Sequence, residues 1–178
     1  MPMIEWENEY PSTAEYADFY SGYVELVNTS NIINALKSQM HEVYTLVHSL
    51  PIEKGDFAYD VGKWTLKEVI GHIIETERLF SYRAFSISRG EKNELPSMDQ
   101  DQYMKNNLYH VRTLVDLLNE FLAVRISTIH LLSNMNKRMI SKKGIASGYE
   151  VSVRALSYII VGHVMHHLNI IKGKYLLD

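Results

Sequence analysis

Three histidines carry the clearest chemical signal in this chain: His72, His163 and His167. His163 and His167 are spaced i,i+4, which stacks two imidazoles one helical turn, about 6 Å, apart on one face. That separation lets both rings reach one ion. A third imidazole from a facing helix would complete a set suited to a divalent first-row metal, with positions left open for water or substrate. His166 points roughly 80 to 100° away from the pair and falls outside the set. The chain has 8 His, so placement rather than number carries the argument. A single inward histidine is ordinarily bonded to backbone or to a hydroxyl, whereas two on one apolar stripe put two polar groups in one costly place. The metalloprotease form of the motif needs Glu directly after the first His; Val164 stands there, and a zincin is excluded.

Two carboxylates accompany the histidines. Glu77 falls near the apolar arc of its helix, where an ion pair with Arg83 or Arg154 is expected and a catalytic carboxylate is the alternative. Glu75, one turn from His72, is a candidate for supporting a ligand or acting as a general base. Asp99 and Asp101 read as helix caps, and Tyr103 as a boundary aromatic or a substrate contact. Trp64, just before Thr65, reads as a staple at a helix start.

The elements that must position these groups are helices. Pro11, Pro51 and Pro96, with glycines at 55–62 and 144–148, punctuate four long segments of helical period, from Tyr23 to Ser49, Thr65 to Ser88, Gln102 to Asn134 and Val151 to Tyr175. A short helix near Ser12 to Phe19 precedes them. Thr65 and Glu68 have the spacing of a capping box, which sets the register of the second long helix. There Val69, Ile73, Phe80 and Ile87 define an apolar face with His72 on its border. In the last helix Val153, Leu156, Ile160, Val164 and Ile171 form a stripe that contains His163 and His167. The expected fold is all-α, a four-helix bundle whose loops allow crossover connections, built as one domain over residues 1–178.

Composition narrows the function. A chain of 178 residues can bury a core without disulfide or structural metal, so a metal here would be functional. With no Cys there is no thiolate nucleophile and no zinc-finger pattern. A net charge of −3 argues against nucleic acid as a partner. No apolar run approaches the roughly 18 residues of a membrane span, and Glu5, Glu7 and Glu9 stand where a secretory signal would be basic, so a cytoplasmic location is expected. The 12 Tyr and 8 Met are spread along the chain as packing residues, and neither a phosphate loop nor a nucleophile elbow is present.

Several segments together resemble the DinB-like superfamily, in the branch that includes YfiT-like metal-dependent hydrolases. They are Gly62 to His72 (GKWTLKEVIGH), Glu75 to Phe80 (ETERLF) with Arg83, and Leu95 to Tyr103 (LPSMDQDQY). Glu120 to Arg125 (EFLAVR), Ser152 to Leu156 (SVRAL) and Gly162 to Ile171 (GHVMHHLNII) continue the likeness over nearly the whole chain. The resemblance implies a four-helix bundle whose metal is held by one His of the second helix and two of a C-terminal H-x-x-x-H, here His72, His163 and His167. It implies a divalent ion, Zn²⁺ or Ni²⁺, and a small-molecule substrate handled by hydrolysis or by thiol S-transfer with a low-molecular-weight thiol as cosubstrate. Relatives often form homodimers, and a homodimer is expected here. The rival expectation, from another class, is a non-catalytic, stress-related dimeric module for binding or interaction.

Overall fold

The structure, a computed structural model, describes residues 9–176; Glu5 and Glu7 lie outside that range. Four helices form its body: α2 (Ile32–Ser49), α3 (Leu66–Arg89), α5 (Leu114–Ser133) and α7 (Val153–Ile170). Shorter pieces join them: α1 (Ser21–Val24), α4 (Gln100–Lys105), α6 (Lys137–Ile140) and a hairpin of β1 (Lys143–Ala146) and β2 (Tyr149–Ser152). Both α2 and α3 pack against α5 and α7, while α2 stands across the bundle from α3, and α5 from α7. The chain therefore crosses a diagonal between α2 and α3 and again between α5 and α7, the crossover arrangement expected of this all-α bundle.

Each long helix begins where a short polar side chain accepts a free amide. Asn31 accepts from Asn34, Thr113 from Asp116, and Ser152 from Ala155. Thr65 and Glu68 form the reciprocal box read from the sequence: the Thr65 amide donates to the Glu68 carboxylate at 2.7 Å and the Glu68 amide to Thr65 Oγ1 at 3.2 Å.

Three expected spans are corrected by such caps. The segment from Tyr23 to Ser49 is not one helix, because Thr29 and Asn31 draw the backbone out of helical geometry at Asn28–Asn31 and Asn31 starts α2 afresh. The segment from Gln102 to Asn134 breaks into α4, a 3₁₀ turn at Tyr109–Val111 and α5, with the Asn107 side chain accepting from the Tyr109 amide at the break. Val151 lies in β2, so the last helix begins two residues later, at Val153. The expected helix at Ser12–Phe19 is instead two 3₁₀ turns, Thr13–Glu15 and Asp18–Tyr20.

The core divides into two apolar clusters. One gathers Leu36, Ala84, Leu132, Leu156 and Ile159; the other gathers Leu66, Ile74, Leu117, Phe121 and Leu168. Buried polar side chains, among them Gln39, His72, Glu77, Arg125 and His163, are contributed by all of the long helices.

Candidate metal centre

α3 carries His72 and α7 carries His163 and His167, and these helices are packed side by side. The three rings are 3%, 4% and 9% exposed, so each is withdrawn from water. His72 Nε2 lies 3.2 Å from His163 Nε2, and His163 Nε2 lies 3.1 Å from His167 Nε2. One nitrogen from each ring falls within 4.8 Å of the other two. The remaining sequence candidates behave differently. Glu75 and Glu77 do not join this group, and His166 sits half-buried with its ring against Tyr23.

The chemistry of this donor set tests whether a metal fits. A neutral imidazole nitrogen either donates one proton or offers one in-plane lone pair. His163 Nε2 faces two other nitrogens at once, so hydrogen bonding among the rings satisfies that arrangement poorly. Three lone pairs converging on a cation satisfy it fully. Two nitrogens each about 2.05 Å from one ion, at an angle of about 100°, stand about 3.1 Å apart, which matches the spacings found. His72, His163 and His167 fit a divalent first-row ion.

Electrostatics favours the ligand form of the rings. Burial lowers the pKa of His72 to about 4, against a small opposing effect of Asp101. Burial, then the neighbouring His72 and His166, lowers His167 to about 3. His163 is pushed well below the ordinary histidine range by burial and by the other rings, with Arg125 adding to the effect. All three are neutral at pH 7 with lone pairs available.

Close packing holds the rings in place. The Trp64 ring leans on His72 at a centroid distance of 5.0 Å, so this residue does more than start a helix. Tyr23 of α1 meets the His163 ring edge-on at 5.3 Å. It comes that close because position 162 is glycine: a Cβ there would stand 1.9 Å from the Tyr23 carbonyl oxygen. Gly71 plays the same part on α3, where a Cβ would run into the Tyr109 ring at 2.2 Å. Tyr109 in turn donates its hydroxyl to Glu75 Oε1 at 2.7 Å, while Glu75 Oε2 is buried without a partner.

Glu77 forms an ion pair, as its burial required, but the expected partner was wrong. Arg125 of α5 takes it, with Nε 2.8 Å from Oε1 and Nη2 2.7 Å from Oε2. The reason is helical phase: Glu77 points about 140° away from His72, toward α5. Arg83 lies on the His72 side, and Arg154 is occupied by Glu9 and Glu15. Arg125 also donates through Nη1 to Gln39 Oε1 at 2.7 Å, and Gln39 Nε2 donates to the Val161 carbonyl at 2.8 Å. This chain of bonds links all four long helices and ends two residues from His163.

Asp99 caps α4 by accepting from Gln102 at 3.0 Å, as expected, and Tyr103 is exposed. Two cavities reach the histidines. One of about 440 Å³ is bounded by His72, His163, Thr76, Phe80, Arg83 and Tyr149, and the loop residues Ser97 and Met98 with Gln100 at the start of α4 close part of its wall. Another of about 240 Å³ reaches His167 between Trp64, Tyr59 and Tyr175. Among the described residues no carboxylate lines either cavity.

The class of protein that fold and site define is a helical bundle with crossed connections and a candidate metal centre of imidazoles converging from two adjacent helices. Residues 35–171 match the family described as the DinB superfamily, and the chain belongs to it. The structure is similar to that of YfiT from Bacillus subtilis, described as a probable metal-dependent hydrolase with an unusual four-helix bundle topology. The two agree with a TM-score of 0.69 at 13% identity, over 94% of this chain and 92% of that one. That likeness establishes the fold. No curated protein matches the chain. Among the described residues no helix is long and apolar enough to cross a membrane.

Proposed function

We propose that this protein is a metal-dependent enzyme acting on a small molecule, with His72, His163 and His167 as ligands of one Zn²⁺ or Ni²⁺ ion. The observation that carries the reading is the convergence of three neutral, buried imidazole nitrogens beside a cavity wide enough for a small substrate. When bound, a divalent ion supplies Lewis acidity that makes water or a thiol acidic near neutral pH. The protein's own part is to keep the rings unprotonated, to fix their angles through Trp64, Tyr23 and Gly162, and to exclude bulk water.

Hydrolysis is the first form of this activity, in line with the description of YfiT. Thiol S-transfer is the second, and one observation favours it. Among the described residues the walls of the two cavities hold no carboxylate to take a proton from water, and a thiol is acidic enough to need less help. Glu75 and Glu77, both away from the cavities, are assigned positioning roles through Tyr109 and Arg125. A homodimer and a cytoplasmic location belong to the same reading and rest on the family resemblance and composition.

Elemental analysis of protein purified without a histidine tag tests the metal assignment. One equivalent of Zn or Ni is expected in the parent and less than a tenth of that in His163→Ala. Stoichiometric metal retained by His72→Ala and His163→Ala alike would overturn it. Panels of esters and amides, and of electrophiles with low-molecular-weight thiols, then separate the two reactions, and turnover untouched by His167→Ala would remove this site as the catalyst. No turnover in any panel would leave the binding module in place of the enzyme.

A further inference from the structure

The cavity beside His72 and His163 holds a cation with no carboxylate paired to it among the described residues. Arg83 is 2% exposed and lines that cavity. An arginine stays protonated, and a buried guanidinium ordinarily finds a carboxylate. Among the described residues none lies within ion-pair distance of this one. Its partners are all neutral: Nη2 donates to the Pro96 carbonyl at 2.5 Å and to Ser147 Oγ at 2.7 Å, and Nη1 reaches the Tyr20 hydroxyl at 3.4 Å. Nε is buried with no partner.

A tight turn supplies part of the seat of Arg83. Ser147, at the tip of the β-hairpin, has φ 54°, a left-handed conformation that favours glycine or asparagine. Its Oγ is one of the Arg83 acceptors, and its amide donates to the Leu95 carbonyl, next to the other acceptor at Pro96. Both residues of this two-residue turn, Ser147 and Gly148, have positive φ, as a tight hairpin turn of that kind requires. The guanidinium is thus fixed by the hairpin tip, the loop after α3 and Tyr20, while its charge is left unmatched.

We propose that Arg83 anchors the carboxylate of a small, largely apolar substrate whose other end reaches the three imidazoles. A guanidinium pairs with a carboxylate through charge-assisted hydrogen bonds, Nη1 being the donor left for it once Nη2 has given both protons to Pro96 and Ser147, and a single positive charge matches a monoanion better than a doubly charged phosphate. The wall between anchor and histidines is aromatic: the Phe80 ring lies 5.7 Å from Arg83 Cζ and 6.2 Å from the His163 ring, with Tyr20, Tyr23 and Tyr149 also on the lining. Long helical side chains lean toward the N-terminus, so Arg83 reaches back toward His72, leaving a span on the order of 10 Å. This assignment of substrate class rests on the imidazole centre being where reaction occurs.

Binding of benzoate, phenylacetate and 3-phenylpropionate, each compared with its uncharged amide, tests the anchor by calorimetry on the full chain, metal-free and Zn-loaded. At least one acid is expected to bind tenfold or more tightly than its amide in both forms, with the preference lost in Arg83→Gln and partly kept in Arg83→Lys. Acids binding no better than amides to the parent would overturn the proposal even if Arg83→Gln failed to fold. So would a preference that requires Zn and survives Arg83→Gln, because the carboxylate would then be on the metal. His163→Ala separates the two readings: loss of metal with the acid preference intact upholds the anchor, and failure of the parent to bind metal defeats the centre without touching the anchor.

Discussion

At the scale of single residues, the site is a set of bases kept from protonation by burial. The folded pKa of His72, about 4, and of His167, about 3, lie below the ordinary histidine value near 6.5 that applies to the unfolded chain. As pH falls below that value the unfolded chain takes up protons first, so folding loses stability. For metal-free protein, urea unfolding is expected to give constant stability above about pH 6.5 from these groups, a decline between there and about pH 3, and no further loss from them below. A parent whose histidine-dependent stability rose on acidification, judged against His72→Gln, would contradict the neutral assignment. Arg125 offers a second check. Arg125→Met strands the Glu77 carboxylate in the core and is expected to cost about 3–5 kcal/mol in urea unfolding, whereas adding Glu77→Leu should recover much of it. The three histidines were legible from spacing and phase. The partner of Glu77 was not, because one helix's periodicity tells which way a side chain faces but not which residue of another helix meets it. Arg83 did leave a signal: eleven residues past His72, it returns to within about 20° of the same face.

At the scale of elements, the long helices were legible because caps and apolar stripes agree, as at Thr65–Glu68 and along Val153 to Val164. The interruptions were less so. Asn28–Asn31 and Asn106–Asn107 are polar enough to leave a helix, yet apolar residues on both sides continue the period, and local side-chain bonds decided the outcome. The hairpin was hidden for a similar reason: Val151 and Ser152 pair with Lys143 and Gly144, contacts that a single segment's pattern does not contain. Gly162 gives this scale its prediction. Gly162→Ala must push α1 off α7, at a cost of about 1–3 kcal/mol, and the displaced Tyr23 should loosen His163. Zn affinity measured by competition with a chelator is expected to fall at least tenfold. Unchanged affinity in a folded variant would show that α1 plays no part in ordering the rings.

For the whole molecule, binding to the folded state alone links the centre to stability. Zn in thousandfold excess over its dissociation constant should stabilise the fold by about 4 kcal/mol, and the unfolding midpoint of the parent, but not of His167→Ala, is expected to rise with Zn concentration. Light scattering on the same samples reports whether two chains associate. One feature of the core bears on a different matter, how the sequence can change over time. Arg125, Glu77 and Gln39 join α2, α3 and α5 to the Val161 carbonyl of α7 through directed bonds, whereas the two apolar clusters need only volume and shape. Sliding any one helix by a turn, about 5.4 Å, would carry a charged or amide group out of register and leave it unpaired. The apolar positions of the two clusters therefore have more freedom to drift, or to be randomised in a library, than these few residues, whose directed bonds tie the alignment of the helices to one register.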